Sequence, residues 1–330
     1  MKIGITYDLK ADVPAGADLP DDFQEEFDSP LTIESIAAVL RGLGHEVQLL
    51  GDGRELIERL LRQPPDFAFN FAEGHGIGRC REARVPAVLE MLGIPYTGSD
   101  PLTLSVTLDK DCAKRLVQSA GVAVPRGSVL EPHHTLDAFT SLHRLPYTAI
   151  VKPAWEGSSK GIRGKCVVDR VDELVEAVSV LRRAHPQPVL VEEYIPGEEL
   201  TVGLVGNERP HIIGILRVVP VRPDERFVYS LEVKRDYLRQ VRYECVPADQ
   251  LEVVAEAALK VYRVLGCRDV SRIDFRLHEG QPYFLEVNPL PGLNPESSDL
   301  VILARLAGWS FERLIESILQ AALDRCSLQA

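Results

Sequence analysis

Asp274 and Glu286 carry the strongest chemical signal in the chain. They lie in Ser271-Arg272-Ile273-Asp274-Phe275-Arg276-Leu277 and Tyr283-Phe284-Leu285-Glu286-Val287-Asn288, two runs that read as a β-hairpin. A turn centred on Gly280 sets Asp274 opposite Glu286 and Arg272 opposite Asn288. Strand side chains alternate, so these four share one face, and Ile273, Phe275, Leu285 and Val287 are expected on the other, in a core. Carboxylates directly opposed across a ladder repel unless a cation lies between them. Two carboxylates and an amide oxygen, with no thiolate or imidazole, are the ligands a hard ion such as Mg²⁺ takes when substrate phosphates complete its shell. The competing reading is a structural cluster in which Arg272 alone neutralises both acids.

Gly157-Ser158-Ser159-Lys160-Gly161 follows the apolar run Ala149 to Pro153, which contains Lys152. Small residues let backbone N–H groups approach phosphate oxygens, and the two hydroxyls add donors. The segment matches neither GxxxxGK[ST] nor GxGxxG, so neither a P-loop nor a Rossmann dinucleotide loop is indicated. Glu192, Glu193 and Glu199 flank the Pro196-Gly197 turn, where carboxylates can accept from an adenine amino group or ribose hydroxyls; such a run also suits plain solvated surface. Val221 to Cys245 is dense in charge, including Lys234, Arg235, Arg239 and Arg242, and suits a mobile loop closing over a charged ligand as well as it suits ordinary surface.

The elements that must position these residues follow an α/β then α+β pattern. Met1 to Tyr7, Glu46 to Leu50 and Asp66 to Phe71 read as strands of a parallel sheet. A helix marked by Ile33, Ile36, Leu40 and Leu43 lies between the first two, capped by Ser29-Pro30 and stopped at Gly44. The third strand runs into the glycine-rich turn at 73–78, at the strand's carboxyl end, where ligands gather in open parallel sheets. One helix is expected from Val106 to Ala120, then strands at 149–153 and 189–193 with a helix at 171–181, a helix at 251–265 stopped by Gly266, and two C-terminal helices. The 330 residues carry 37 Lys plus Arg against 49 Asp plus Glu, a net charge of −12 without a basic block. That balance argues against nucleic acid or an anionic membrane as partner. The six cysteines are scattered without CxxC spacing, and no apolar stretch reaches membrane-spanning length, so reduced thiols in a cytoplasmic protein are expected. The start, MKIGITYDLK, reads as a strand and not as an export signal.

The order Lys110, Lys152, GSSKG, VEEYIPGEELTVG, RIDF and EVNPLPG resembles the ATP-grasp superfamily, and within it the D-alanine:D-alanine ligases. LEMLGIPYTGSD at 89–100 and the tail after PGLNPESS extend the resemblance over nearly the whole chain. It implies an ATP-grasp fold behind an N-terminal parallel-sheet domain: residues 1–105, a central domain 106–195 and a catalytic domain 196–330, with ATP between the last two. Lys110 and Lys152 then look like the phosphate and adenine-side lysines, Ser158 and Ser159 like phosphate-loop hydroxyls, Glu192, Glu193 and Ile195 like adenine contacts, and Glu199 like the ribose acceptor. Asp274, Glu286 and Asn288 match the Mg²⁺ ligands, with Mn²⁺ an alternative ion. Arg272 matches the arginine steadying the oxyanion and acyl phosphate, and Lys234 the γ-phosphate lysine of the loop. Ser158 and Gly292 complete the catalytic set, and Ser297 with Gly292, flanked by Ser298, holds the second substrate's carboxylate.

The N-terminal part departs from the family. Its paired glycines and ammonium-anchoring glutamate are missing, and an ungapped register puts Asp28 at that glutamate. EGHGIGRCRE stands where HG…GEDG is usual, leaving His75 or Glu73 near the donor. Arg235 replaces the tyrosine after the loop lysine; it either favours an anionic group on the donor or pairs with Asp28. The resemblance implies an ATP-dependent carboxylate–amine ligase making D-alanyl-D-alanine for the cell wall from small-molecule amino acids, with a homodimer left open. The alternatives are the same chemistry on another amino acid pair, D-lactate or a small-metabolite acid, and a nucleotide-binding regulatory module without turnover.

Overall fold

The computed structural model describes residues 1–10, 19–135 and 148–328. Strands β1 (Lys2–Tyr7), β2 (Glu46–Gly51) and β3 (Phe67–Phe71) form a parallel sheet in the order β2-β1-β3. Helix α1 (Pro30–Gly42) crosses between the first two, and α2 (Gly53–Arg62) precedes the third. As its sequence predicts, α1 begins at Ser29, whose hydroxyl accepts from Thr32 N at 3.3 Å, with proline in the first turn.

After α3 (Arg84–Met91), the single helix expected from Val106 is two: α4 (Pro101–Leu108) and α5 (Lys110–Ser119). Asp109 breaks the run because its extended backbone lets its carboxylate cap the N–H groups of Asp111 and Cys112. The break puts Lys110 in the first turn of α5.

Strands β4 (Gly127–Leu130), β5 (Ala149–Pro153), β6 (Val167–Val168) and β7 (Val189–Glu193) make an antiparallel sheet ordered β4-β7-β5-β6, covered by α6 (Val171–Ala184) through Leu174, Val178 and Leu181. A five-stranded antiparallel sheet follows, ordered β10-β9-β8-β11-β12. Its strands are β8 (Glu198–Val205), β9 (His211–Pro220), β10 (Val241–Val246), β11 (Val270–His278) and β12 (Gln281–Asn288). The charged segment expected as a loop therefore contains two short helices, α7 (Leu231–Arg235) and α8 (Tyr237–Gln240), before it enters β10.

Helix α9 (Glu252–Val264) packs Val254, Ala258 and Val261 on this sheet. Helices α10 (Asp299–Leu306) and α11 (Phe311–Arg325) return the chain to its start, where Leu314, Ile318 and Leu319 share a core with Ile3, Ile5 and Phe69. Among the described residues, no helix is long and apolar enough to cross a membrane.

Candidate active site

The β11–β12 ladder sets Arg272 opposite Asn288 and Asp274 opposite Glu286, the expected register. Beyond Asp274 the register shifts and Phe275 faces Phe284. These rings pack edge-on in the core, both fully buried, with centroids 6.2 Å apart. Leu285, expected in the core, instead lines a cavity with Asp274 and Glu286. A bulge of this kind turns one extra side chain toward the site.

Asp274 accepts from Thr201 Oγ1 at 2.7 Å and lies 3.1 Å from Arg272 Nη2, which is 4.0 Å from Glu286. Lys110 Nζ is 3.3 Å from Glu286 Oε2. Burial raises both carboxyls' affinity for protons, and the outcomes differ. For Asp274, burial and the charge of Glu286 outweigh Arg272 and leave it above its usual range; for Glu286, Lys110, Lys152 and Arg272 overcome burial and hold it at about 2. Asn288 makes no side-chain hydrogen bond with a described residue, so its amide oxygen is available. Two facing carboxylates and a free amide are a donor set that fits a hard divalent ion.

Opposite them, Lys152 Nζ lies 2.7 Å from Glu192 Oε1, and Lys114 Nζ bonds the other oxygen of the same carboxylate. All three are nearly solvent-free. Glu192 is thus occupied in anchoring two lysines. Burial and the neighbouring lysines push Lys114 down to about 8, whereas Glu192 and Glu286 outweigh burial and keep Lys152 above its ordinary value. Glu193 also lines the cavity, and its carboxylate accepts from Nε and Nη2 of Arg126, at 2.7 and 2.9 Å. Ile195 and Glu199 line the cavity, and Glu199 pairs with Arg276 at 2.8 Å.

The glycine–serine loop holds Ser158 and Ser159 at positive φ, 49° and 58°. Ser159 Oγ donates to Tyr229 O at 3.1 Å, and Leu231 N to Ile162 O, so the segment bearing α7 rests on this loop. Lys234 enters the cavity with Nζ 5.0 Å above the Tyr229 ring. Arg235 does not pair with Asp28: its guanidinium holds Glu25 at 2.5 Å and Asp21 at 3.0 Å.

Asp28 does not line this cavity; burial, with Asp8 adding, raises its carboxyl to about 8. His75 sits with Nε2 3.0 Å from Asp8 Oδ1 and its ring 5.0 Å from Phe27. Ser297 is exposed and donates its N–H to Asn294 Oδ1, while Ser298 Oγ accepts from Asn294 N at 2.8 Å and crowds Gly292. Asn294 in turn reaches Thr32 Oγ1 at 3.1 Å, joining this loop to the start of α1.

Several site residues escape the sequence reading. Lys114 stands one helical turn after Lys110, a spacing that would have found it. Asp299, 3.4 Å from Arg272 and bonded by Tyr229 OH at 3.0 Å, carries no sequence signal. Nor do Glu26, Arg81 and Glu156, a fully buried cluster in which Arg81 lies 2.8 Å from Glu26 and 3.3 Å from Glu156.

A cleft between two antiparallel sheets, with lysines on one wall and opposed carboxylates on the other, defines an ATP-grasp protein. Residues 116–320 match the family model "D-ala D-ala ligase C-terminus". The chain is 35% identical over 300 residues to the D-alanine–D-alanine ligase of Aquifex aeolicus, covering 87% of this chain and 93% of that one. To the Gloeobacter violaceus D-alanine–D-alanine ligase it is 32% identical over 322 residues, 96% of this chain and 100% of the other. The Bacillus anthracis D-alanine–D-alanine ligase complexed with ATP superposes with a TM-score of 0.75 at 25% identity, over 99% of both chains. The chain belongs to the D-alanine–D-alanine ligase family, ATP-dependent ligases that use a divalent metal and act on small amino acids.

Proposed function

We propose that the protein joins two amino acids through an acyl phosphate, with D-alanyl-D-alanine as product and Mg²⁺ as the metal, in the cytoplasm, within three units at 1–105, 106–195 and 196–330. The observation that carries this is the opposed pair Asp274 and Glu286, with Arg272 between them, on the wall of a cavity that Lys152 and Lys234 enter. A carboxylate oxygen of the donor attacks the γ-phosphorus and the bond to ADP breaks. The acceptor's amine then attacks the acyl carbonyl, loses a proton, and phosphate leaves. Negative charge accumulates at every stage, so cationic stabilisers are needed throughout.

Asp274, Glu286 and Asn288 would hold the metal, which supplies charge neutralisation of the phosphates. Lys110 and Lys152 are assigned to the phosphates, with Ser158 and Ser159 as added donors. Lys234 is assigned to the γ-phosphate, carried in by the segment around α7. Arg272 is assigned to the acyl oxyanion; its buried Nε lacks a hydrogen-bond partner among the described residues, a donor in reserve for a substrate oxygen. Glu192 acts by fixing Lys152, Glu193 and Ile195 offer backbone groups to adenine, and Glu199 faces the ribose. Gly292 and Ser298, with Ser297 beside them, take the acceptor's carboxylate. Water must be kept from the acyl phosphate, and the segment resting on the glycine–serine loop supplies the cover.

Phosphate release screened over a matrix of donor and acceptor amino acids, with mass spectrometry of the product, tests the assignment. Release that needs both substrates and yields a dipeptide is expected. ATP bound without amino-acid-dependent release under any pairing would favour the regulatory module.

A further inference from the structure

Arg272, assigned above to the acyl oxyanion, is buried among three carboxylates. Its Nη2 lies 3.1 Å from Asp274 and 4.0 Å from Glu286, and its Nη1 lies 3.4 Å from Asp299 Oδ2. The first two are the carboxylates assigned to the metal. A dication held by them takes up their charge and repels a guanidinium beside it, so this buried cation needs a counter-charge outside the metal's ligand set. Asp299 is that counter-charge. It lies in the first turn of α10, where the helix dipole favours an anion, and is itself buried on the cavity wall.

The other oxygen of Asp299 is held from the segment over the cavity. Tyr229 OH donates to Asp299 Oδ1 at 3.0 Å and is also bonded to Tyr243 OH on β10. The same tyrosine meets the nucleotide side at three points. Its carbonyl accepts from Ser159 Oγ at 3.1 Å, its N–H donates to Glu199 Oε2 at 3.4 Å, and Lys234 Nζ stands 5.0 Å above its ring. Tyr229 is therefore seated by the glycine–serine loop, the ribose side and the loop lysine together, and once seated it fixes the carboxylate that aims Arg272. A phenol carries no charge of its own here, so its influence on Arg272 passes through Asp299.

We propose that Tyr229 and Asp299 are positioning residues that couple seating of the α7 segment to the orientation of Arg272, an inference that rests on the ligase reading above and deepens it. Tyr229→Phe, Asp299→Asn and the double variant are compared for dipeptide formation and for binding of ADP alone and of Mn·ADP, the latter followed by water-proton relaxation. Tyr229→Phe keeps the ring beneath Lys234 and should lower kcat at least fivefold while changing the KM for ATP less than twofold. Asp299→Asn should lower kcat at least thirtyfold, and the double variant no further, because the phenol acts through the carboxylate. Both single variants should also weaken Mn·ADP binding at least threefold, since an unanchored Arg272 leans on Asp274 and Glu286. Unchanged binding of metal-free ADP certifies the fold. Losses that multiply in the double variant, or a Tyr229→Phe enzyme with unaltered kcat, overturn the coupling. Weakened Mn·ADP binding in both variants, with no dipeptide from the unaltered protein under any pairing, would leave the coupling standing and remove the ligase reading. Dipeptide from the unaltered protein, with Mn·ADP affinity untouched in Tyr229→Phe, would do the reverse.

Discussion

Asp274 and Glu286 face each other across one ladder, yet their neighbours treat them differently, and that separates a metal site from a structural ion cluster. Asp274 is crowded by Glu286 and served by the Thr201 hydroxyl and by Arg272, which also holds Asp299. Glu286 carries the charge of Lys110, Lys152 and Arg272. Asp274→Asn should therefore relieve repulsion and leave the metal-free protein within about 1 kcal/mol of its starting stability, whereas Glu286→Gln strands Lys110 and should cost about 3 kcal/mol. Both substitutions should lower ligation by at least a hundredfold, roughly the scale of losing one group that stabilises transition-state charge. Chemical denaturation without metal and phosphate release with it separate the readings. A large stability loss in Asp274→Asn with activity retained would make the pair a structural cluster. Lys114 belongs to the same scale: it reaches the proposed phosphate lysine only through Glu192. Lys114→Met should raise the KM for ATP more than it lowers kcat, and Lys114→Arg should restore part of the loss. An unchanged KM would deny it that positioning role.

At the scale of elements, the β7–β8 turn and the segment around α7 make separate demands. Gly197 sits at φ +109°, and a Cβ there would lie 2.1 Å from Leu277 O. Gly197→Ala must move backbone against backbone, and a loss of about 2 kcal/mol or more is expected by thermal denaturation, with Glu199 displaced. The segment 222–242 is held through Ser159, Ile162, Glu25 and Asp21. Hydrogen exchange there should slow when ATP and amino acids are added and quicken in Arg235→Ala. Equal exchange in all three states would make it ordinary surface.

These elements also show what local sequence can carry. The hairpin register near Asp274 was legible because one turn residue and strict alternation determine it. The bulge after Asp274 was not, since it answers to the packing of Phe275 on Phe284. The stretch from Val106 read as one helix because Asp109 looks like an ordinary helix-surface residue until its carboxylate is seen capping α5. Arg235 was read from position alone, as favouring an anionic donor or pairing with Asp28. Its true partners, Asp21 and Glu25, lie more than two hundred residues away, and no periodicity connects them.

For the whole molecule, the acidic stretch at 21–26 ties the N-terminal sheet to the nucleotide-binding half. Asp22 accepts from Gly161 N at 2.9 Å, and the buried Glu26 binds Arg81, Lys160 and Gly157 N. Burial alone would raise the Glu26 pKa; the charges of Arg81 and Lys160 and the Gly157 N–H overcome it and hold it at about 2. A carboxyl whose folded pKa lies below its unfolded value near 4.5 stabilises the protein fully above that value. Its contribution fades as pH falls from there toward about 2. The shift corresponds to an order of 3 kcal/mol at neutral pH. Glu26→Gln also leaves Lys160 and Arg81 sharing Glu156 alone, so the measured loss at pH 7 should be of that order. The difference between variant and unaltered protein should shrink steadily between pH 4.5 and pH 2, because protonation removes the same charge that the substitution does. Urea denaturation of both proteins at several pH values measures this directly. A difference that stays constant through that window would mean that Glu26 contributes by shape and hydrogen bonding, and that the two halves are joined by something other than its charge.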